Sequence, residues 1–257
     1  MKEGCFMTTV LQVVGVSKDY GRKGFRTKVL KDIDLTVEKG DFISIMGPSG
    51  AGKTTLLNLM STLDVATSGQ IILDGTDLSK VNHKKLSTIR REKIGFIFQD
   101  YSLLDNMSIR DNIALPLALG RKKTQDILDK VEEMAQQFGI YNQLDKYPYE
   151  LSGGQKQRAA AARALITNPS VIFADEPTGA LDSRSSTDLL ECLKRLNETT
   201  GATIVMVTHD PFSASYSKRV YMLSDGSVKC QLHKGESRKV FYNQILDLLA
   251  LMGGESE

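Results

Sequence analysis

The sequence predicts an α/β fold with a mainly parallel core sheet, an antiparallel β region and an inserted helical segment. Three observations carry this. The runs 42–46, 94–98, 171–174 and 203–207 are apolar without alternation, as expected of strands covered on both faces. Residues 33–37 alternate strictly, and Ile71-Ile72-Leu73 closes on the turn pair Asp74-Gly75; with 10–16 they predict an antiparallel, half-exposed sheet. Between Phe98 and Val171 the period turns helical, with Ile127, Val131, Met134, Ala135 and Phe138 on one face, which marks a helical insert.

A further helix is expected across Leu189, Leu190, Leu193 and Leu196, ending near Gly201, since glycine takes the left-handed conformation a helix terminus often requires. Phe241, Ile245, Leu248, Leu249 and Met252 form one stripe of a C-terminal helix. That stripe is expected to pack on the chain's own core; binding a partner, a second subunit or the membrane surface is the alternative.

With 257 residues, 41% apolar and 25% charged, the chain has the make-up of an ordinary globular protein. A net charge of +2 does not support a nucleic-acid footprint. The local run of Lys80, Lys84, Lys85, Arg90, Arg91 and Lys93 reads as a solvated helix face. Cys5, Cys192 and Cys230 are odd in number and lack metal-ligand spacing, so a reducing cytosol is expected. No stretch reaches the ~20 apolar residues that cross a bilayer, so the chain is expected to be neither exported nor membrane-spanning, and membrane association has to come through a partner.

Gly47-Pro48-Ser49-Gly50-Ala51-Gly52-Lys53-Thr54-Thr55 follows an apolar strand and precedes an apolar helix start, Leu56-Leu57-Asn58-Leu59-Met60, the setting a phosphate-binding P-loop requires. Its glycines let the backbone wrap phosphate, and the helix adds the positive end of its dipole. Lys53 is expected to reach the β- and γ-phosphates of ATP, and the Thr54 hydroxyl to ligate Mg²⁺. Asp175 and Glu176 end the apolar run 171–174; Asp175 is expected to hold Mg²⁺ through water. Adjacent acids at a strand end point apart, which frees Glu176 to polarise the water attacking the γ-phosphate. Leu151-Ser152-Gly153-Gly154-Gln155 is a second phosphate-binding sequence, opening a helix that runs through Ala164. One ATP does not need two such loops from one chain, so each should serve a different nucleotide in a two-fold dimer.

Together the P-loop, Gln99, residues 151–158, Asp175-Glu176, Ala180-Leu181-Asp182 and His209 resemble a complete ATP-binding-cassette (ABC) ATPase, over nearly the whole chain. The resemblance implies a cassette over about residues 8–240, a helical subdomain near 100–168 and an amphipathic tail over 241–257. It implies that Ser152, Gly153, Gly154 and Gln155 form the signature loop that meets the γ-phosphate held by another copy's Lys53. Gln99, alone an unremarkable polar residue, would touch Mg²⁺ or the attacking water. His209 would contact the γ-phosphate and support Glu176. Tyr20 would stack on adenine, the alternative being a sheet-packing tyrosine, and Asp182 would meet its own copy across the dimer. Gly179 departs from the serine more usual at that point of the family.

More narrowly, Ile97-Phe98-Gln99-Asp100 with Leu103-Leu104, 208–212 with Ala214-Ser215-Tyr216, and the tail 245–249 to Gly253-Gly254 resemble ATPases of bacterial peptide-antibiotic resistance transporters of the bacitracin type. This implies a homodimer on the cytoplasmic face of the membrane, bound to a large permease near residues 99–117, with a sensor histidine kinase attached through the permease. The work implied is removal of an antimicrobial peptide, by transport or by extraction from its lipid target. Two other readings stand beside it: an ATPase for lipoprotein release, macrolide export or cell-division mechanotransmission, and a regulatory module whose nucleotide state reports to a kinase.

Overall fold

The computed structural model describes residues 8–22, 25–120 and 123–253; Cys5 and tail residues 254–257, Gly254 included, lie outside them. The chain opens with strands β1 (Thr9–Arg22), β2 (Phe25–Glu38) and β3 (Phe42–Met46), helix α1 (Lys53–Met60) and strands β4 (Ser68–Leu73) and β5 (Thr76–Asp77). Helix α2 (His83–Lys93), strand β6 (Ile94–Ile97) and helices α3 (Ile109–Ala118), α4 (Thr124–Gln137) and α5 (Gly153–Leu165) follow. The remainder is β7 (Val171–Asp175), α6 (Ser183–Thr200), β8 (Ile204–Val207), α7 (Pro211–Ala214), β9 (Arg219–Ser224), β10 (Ser227–His233) and α8 (Arg238–Gly253).

Two sheets form. One is antiparallel in the order β2-β1-β4-β5; the other runs β10-β9-β3-β8-β7-β6, with every pair parallel except β10 with β9. All residues of β3 and β8 are buried, as continuous apolarity predicts for interior parallel strands. Strand β2 alternates buried and exposed over 33–37, because one face of the antiparallel sheet packs inward. Strands β6 and β7 are parallel neighbours, which cannot be joined by a tight turn. The connection between them contains α3, α4 and α5, so the helical insert is an enlarged crossover.

The core divides along the parallel sheet. Ile43 and Ile45 pack with Leu56, Leu57 and the antiparallel sheet, whereas Ile172, Ala174 and Met206 pack with α6 and the insert. The periodic residues of α4 are buried there, and α6 ends on Gly201 at φ 69°. On helix α2, Lys84, Lys85, Arg90, Arg91 and Lys93 are exposed, as a solvated basic face should be, while Leu86 and Ile89 rest half-buried on the core. On the tail helix, Phe241 and Ile245 are fully buried against Met46, Ala214, Val220 and Met222, with Leu248, Leu249 and Met252 packed beside them. The stripe of α8 thus covers the strand that leads into the P-loop. Hairpin β9–β10, turning at Asp225-Gly226, has no counterpart among the elements expected from sequence: β10 is only half-buried and carries Lys229, Gln231 and His233.

Candidate nucleotide site

The C-terminal ends of β3, β6, β7 and β8 open on one edge of the parallel sheet, the usual place for a ligand in an open α/β fold. Beyond β3, Gly47 has φ 153°, and a Cβ there would stand 1.9 Å from the Leu223 carbonyl oxygen. Only glycine lets the loop pass that close to β9. Lys53 opens α1, and its Nζ donates to the carbonyl oxygens of Gly47 at 2.8 Å and Pro48 at 2.9 Å. Burial holds this ammonium below the ordinary lysine range, while the charges of Glu176 and Asp175 oppose the shift. Both acceptors are neutral, so a phosphate would supply the opposite charge that favours the ammonium form.

A cavity of about 1280 Å³ lies over the loop. Its walls include Gly47, Ser49, Gly50, Gly52, Lys53, Thr54 and Thr55, with Gln99, Glu176 and His209 arriving from the other strand ends. Ala51 instead turns into the core beneath α1. Asp175 closes β7, and its Oδ1 is buried without a hydrogen-bond partner. Burial pushes its carboxyl above the usual carboxylate range and the Glu176 charge adds to this; Lys53 and the Thr54 hydroxyl pull it back. A buried, unpartnered carboxylate oxygen beside a hydroxyl is a hard-oxygen set that fits Mg²⁺, which takes one or two carboxylates together with phosphate oxygens.

The same shift fixes a sign. With its folded pKa raised, Asp175 contributes stability below its unfolded pKa of about 3.9 and loses it as pH rises through the folded value. Asp175→Asn is therefore expected to melt at or above wild type near pH 7 without nucleotide, the difference closing below about pH 4. Mg²⁺-dependent ATP turnover of the same variant should fall by 100-fold or more, of order a lost charge contact in the transition state. A lower melting temperature at pH 7 would contradict the assignment of burial as the dominant cause.

Glu176 leaves the strand at φ 45°, a left-handed conformation that costs a non-glycine residue of order 1–3 kcal/mol. Its N–H donates to the Val207 carbonyl at 2.9 Å, and its Oε1 lies 2.8 Å from His209 Nδ1. The change of hand separates the two acids: Asp175 stays beside Thr54 while Glu176 lines the cavity. The histidine segment is pinned in turn. Asp210 accepts from the N–H groups of Phe212 and Ser213, and Ser213 Oγ meets Thr178 Oγ1 at 3.0 Å in the segment after Glu176.

Gln99 sits two residues beyond β6, on a segment clamped by α5. Gln157 Nε2 donates to the Phe98 carbonyl at 3.0 Å, and Arg163 donates to the carbonyls of Ser102 at 2.7 Å and Tyr101 at 3.1 Å. A Cβ at position 179 would stand 3.0 Å from Gln99 Nε2, so Gly179 and the Gln99 side chain are close neighbours, and a larger residue there would need only a small shift of the Gln99 amide. Ser152 caps α5 in a reciprocal capping box with Gln155, which gives Gln155 a helix-starting role. A Cβ on Gly154 would meet Ser185 Oγ at 2.5 Å; close packing on α6 demands the small residue in addition to any phosphate contact. Asp182 caps α6 through the Ser185 N–H at 2.9 Å. Neither 152–155 nor Asp182 lines the cavity that contains Lys53.

Tyr20 also lies outside that lining; it is 43% exposed on β1, and its hydroxyl donates to Asp64 Oδ2 at 2.6 Å. Val29, Ser224, Asp225, Lys229, Leu249 and Met252 also line the cavity; the sequence assigned none of them to the site, and Leu249 and Met252 only to the C-terminal stripe. The Asp225-Gly226 turn pair and the α8 stripe were the only signals for them.

The family model described as ABC transporter matches residues 30–179. The chain belongs to the ABC transporter family. This ABC cassette is 50% identical over 246 residues, 95% of this chain and 97% of the relative, to the bacitracin export ATP-binding protein BceA of Halalkalibacterium halodurans (strain C-125). It is 46% identical to the ABC transporter ATP-binding protein YxdL of Bacillus subtilis (strain 168), over 97% of both chains. Among solved structures, the ADP- and Pi-bound post-hydrolysis dimer of the ATP-binding cassette MJ0796 aligns with a TM-score of 0.80 and 37% identity, covering 88% of this chain and all of that one. The cassette is an ATPase that binds ATP with Mg²⁺, and cassettes of this family dimerise and work with membrane permeases. Among the described residues no helix is long and apolar enough to cross a membrane.

Proposed function

We propose that this ABC ATPase powers a separate permease that removes peptide antibiotics of the bacitracin type, working as a homodimer on the cytoplasmic face of the membrane. Likeness to BceA at 50% identity along nearly the whole of both chains carries the reading. The cassette proper spans about 8–240, with a helical subdomain near 100–168 and a tail over 241–257. Residues near 99–117, where Leu104 is 43% exposed, receive the permease. A sensor histidine kinase joins through that permease.

Within the site, P-loop N–H groups and Lys53 grip the β- and γ-phosphates. Thr54, Asp175 and Gln99 hold Mg²⁺, which when bound neutralises charge on the phosphate oxygens. Glu176 orients and polarises the attacking water, and His209 steadies Glu176 through the contact at Nδ1. Tyr20 offers its ring to adenine. Ser152, Gly153, Gly154 and Gln155 cap the nucleotide of the other copy, and Asp182 meets its own copy. Closure on ATP and release on hydrolysis then select between two permease conformations.

Co-expression with the permease and measurement of ATP turnover test the proposal. Bacitracin should stimulate turnover severalfold and a macrolide should not. Stimulation by the macrolide alone, or by neither compound, would overturn the assignment of substrate class.

A further inference from the structure

Lys18 and Tyr20 stand two residues apart on β1 and so share a face of the strand. Lys18 is 8% exposed, and its ammonium has three partners: Asp64 Oδ1 at 2.8 Å, the Val65 carbonyl at 2.7 Å and the Tyr20 ring, whose centroid lies 4.6 Å away. The other Asp64 oxygen accepts from the Tyr20 hydroxyl. Asp64 therefore binds the charge over the ring and the hydroxyl at its tip at once. Its own position is set by α1, because the N–H groups of Leu63 and Asp64 both donate to the Asn58 carbonyl, at 2.8 and 3.1 Å. Hydrogen bonding to Asp64 pushes the Tyr20 phenol upward, with burial adding and Thr55 opposing.

We propose that Lys18 and Asp64 are positioning residues that hold the Tyr20 ring at a fixed distance and tilt from the P-loop, and thereby set affinity for the base of the nucleotide. A half-exposed tyrosine left alone would have to be immobilised when base stacks on ring, at a cost in rotamer freedom. The ammonium on one face and the carboxylate at the hydroxyl order the ring before ligand arrives. The helix that fixes Asp64 is the one that begins with Lys53, so base and phosphate sub-sites share one rigid reference. This inference rests on the reading of Tyr20 as the adenine platform.

Equilibrium binding of ATP and of inorganic tripolyphosphate, both with Mg²⁺, to the full chain separates the two ideas. Tyr20→Phe keeps the ring and loses the hydroxyl tether; Asp64→Ala loses that tether and the carboxylate that anchors Lys18, which keeps the Val65 carbonyl; Tyr20→Ala loses the ring. All three are expected to weaken ATP, the tether variants by roughly three- to tenfold, with tripolyphosphate affinity unaltered and the loss falling on KM more than on kcat. Asp64→Asn, still an acceptor for Lys18, should recover part of the Asp64→Ala loss. If Tyr20→Ala binds ATP normally, the adenine platform itself is wrong. If Tyr20→Ala is weakened while Tyr20→Phe and Asp64→Ala match wild type, the positioning proposal is overturned and the platform stands. Equal weakening of ATP and tripolyphosphate in Asp64→Ala would also overturn it, and Tyr20→Phe decides the matter should Asp64→Ala not fold.

Discussion

Replacing Glu176 with glutamine is expected to lower steady-state ATP turnover by about 100- to 10,000-fold, the range over which a positioned general base acts. The substitution preserves size and can keep a contact with His209 Nδ1, so the positive-φ backbone at 176 and the Val207 hydrogen bond are undisturbed. Only the charge is lost. That charge also raises the Asp175 carboxyl and opposes the downward shift of Lys53. Its removal lets Asp175 ionise more readily and removes repulsion toward incoming phosphates; it also withdraws support from the Lys53 ammonium, which the charge of the bound phosphates replaces. ATP affinity should therefore hold or tighten while hydrolysis stops, and the ATP-bound dimer should accumulate on a sizing column. Turnover near the wild-type rate would remove Glu176 from catalysis and favour a module that only reports nucleotide state.

A second large effect separates a shared site from a self-contained one. Ser152→Arg places a bulky charge at the cap of α5, and Lys53→Ala removes the P-loop ammonium; either homodimer has both composite sites damaged and should lose nearly all turnover. A mixed dimer of one subunit of each kind gathers both defects into one site and leaves the other whole. About half of wild-type turnover is the ceiling for the purified mixed dimer if the sites act separately, and about a quarter for an equal mixture that pairs at random. The geometry within one chain motivates the experiment: 152–155 and Lys53 do not line a common cavity. No recovery in the mixture, or full-rate hydrolysis by an isolated monomer, would end the shared-site reading.

The strand ends to which this chemistry is assigned were legible in the sequence because each combines an apolar run with polar residues at its C-terminal end. Gly47 to Thr55, Asp175-Glu176 and His209 are found this way, and the parallel sheet then brings them together at one edge. The stripe of α8 was legible too, since helical period shows which face is apolar. The place of Val29, Lys229 and Leu249 in the cavity wall was not, because a wall drawn from β2, β10 and α8 depends on tertiary packing rather than on any local pattern. Gln157 and Arg163 escaped for a related reason. They read as ordinary polar residues of a helix, and only the fold reveals that they hold the backbone at Phe98, Tyr101 and Ser102.

That clamp has a consequence for timing. Helix α5 is capped by Ser152, on the edge assigned to the neighbour's nucleotide, and grips the stretch beside Gln99, which lines the cavity over its own P-loop. Three hydrogen bonds to main-chain oxygens join the helix to that stretch, so a displacement at the Ser152 end is expected to reach the backbone beside Gln99. If the shared-site reading holds, the two halves of the dimer should behave more like meshed gears than twin motors, the state of one nucleotide biasing when the next is cut, and a shortfall of the mixed dimer below half-rate would measure that meshing.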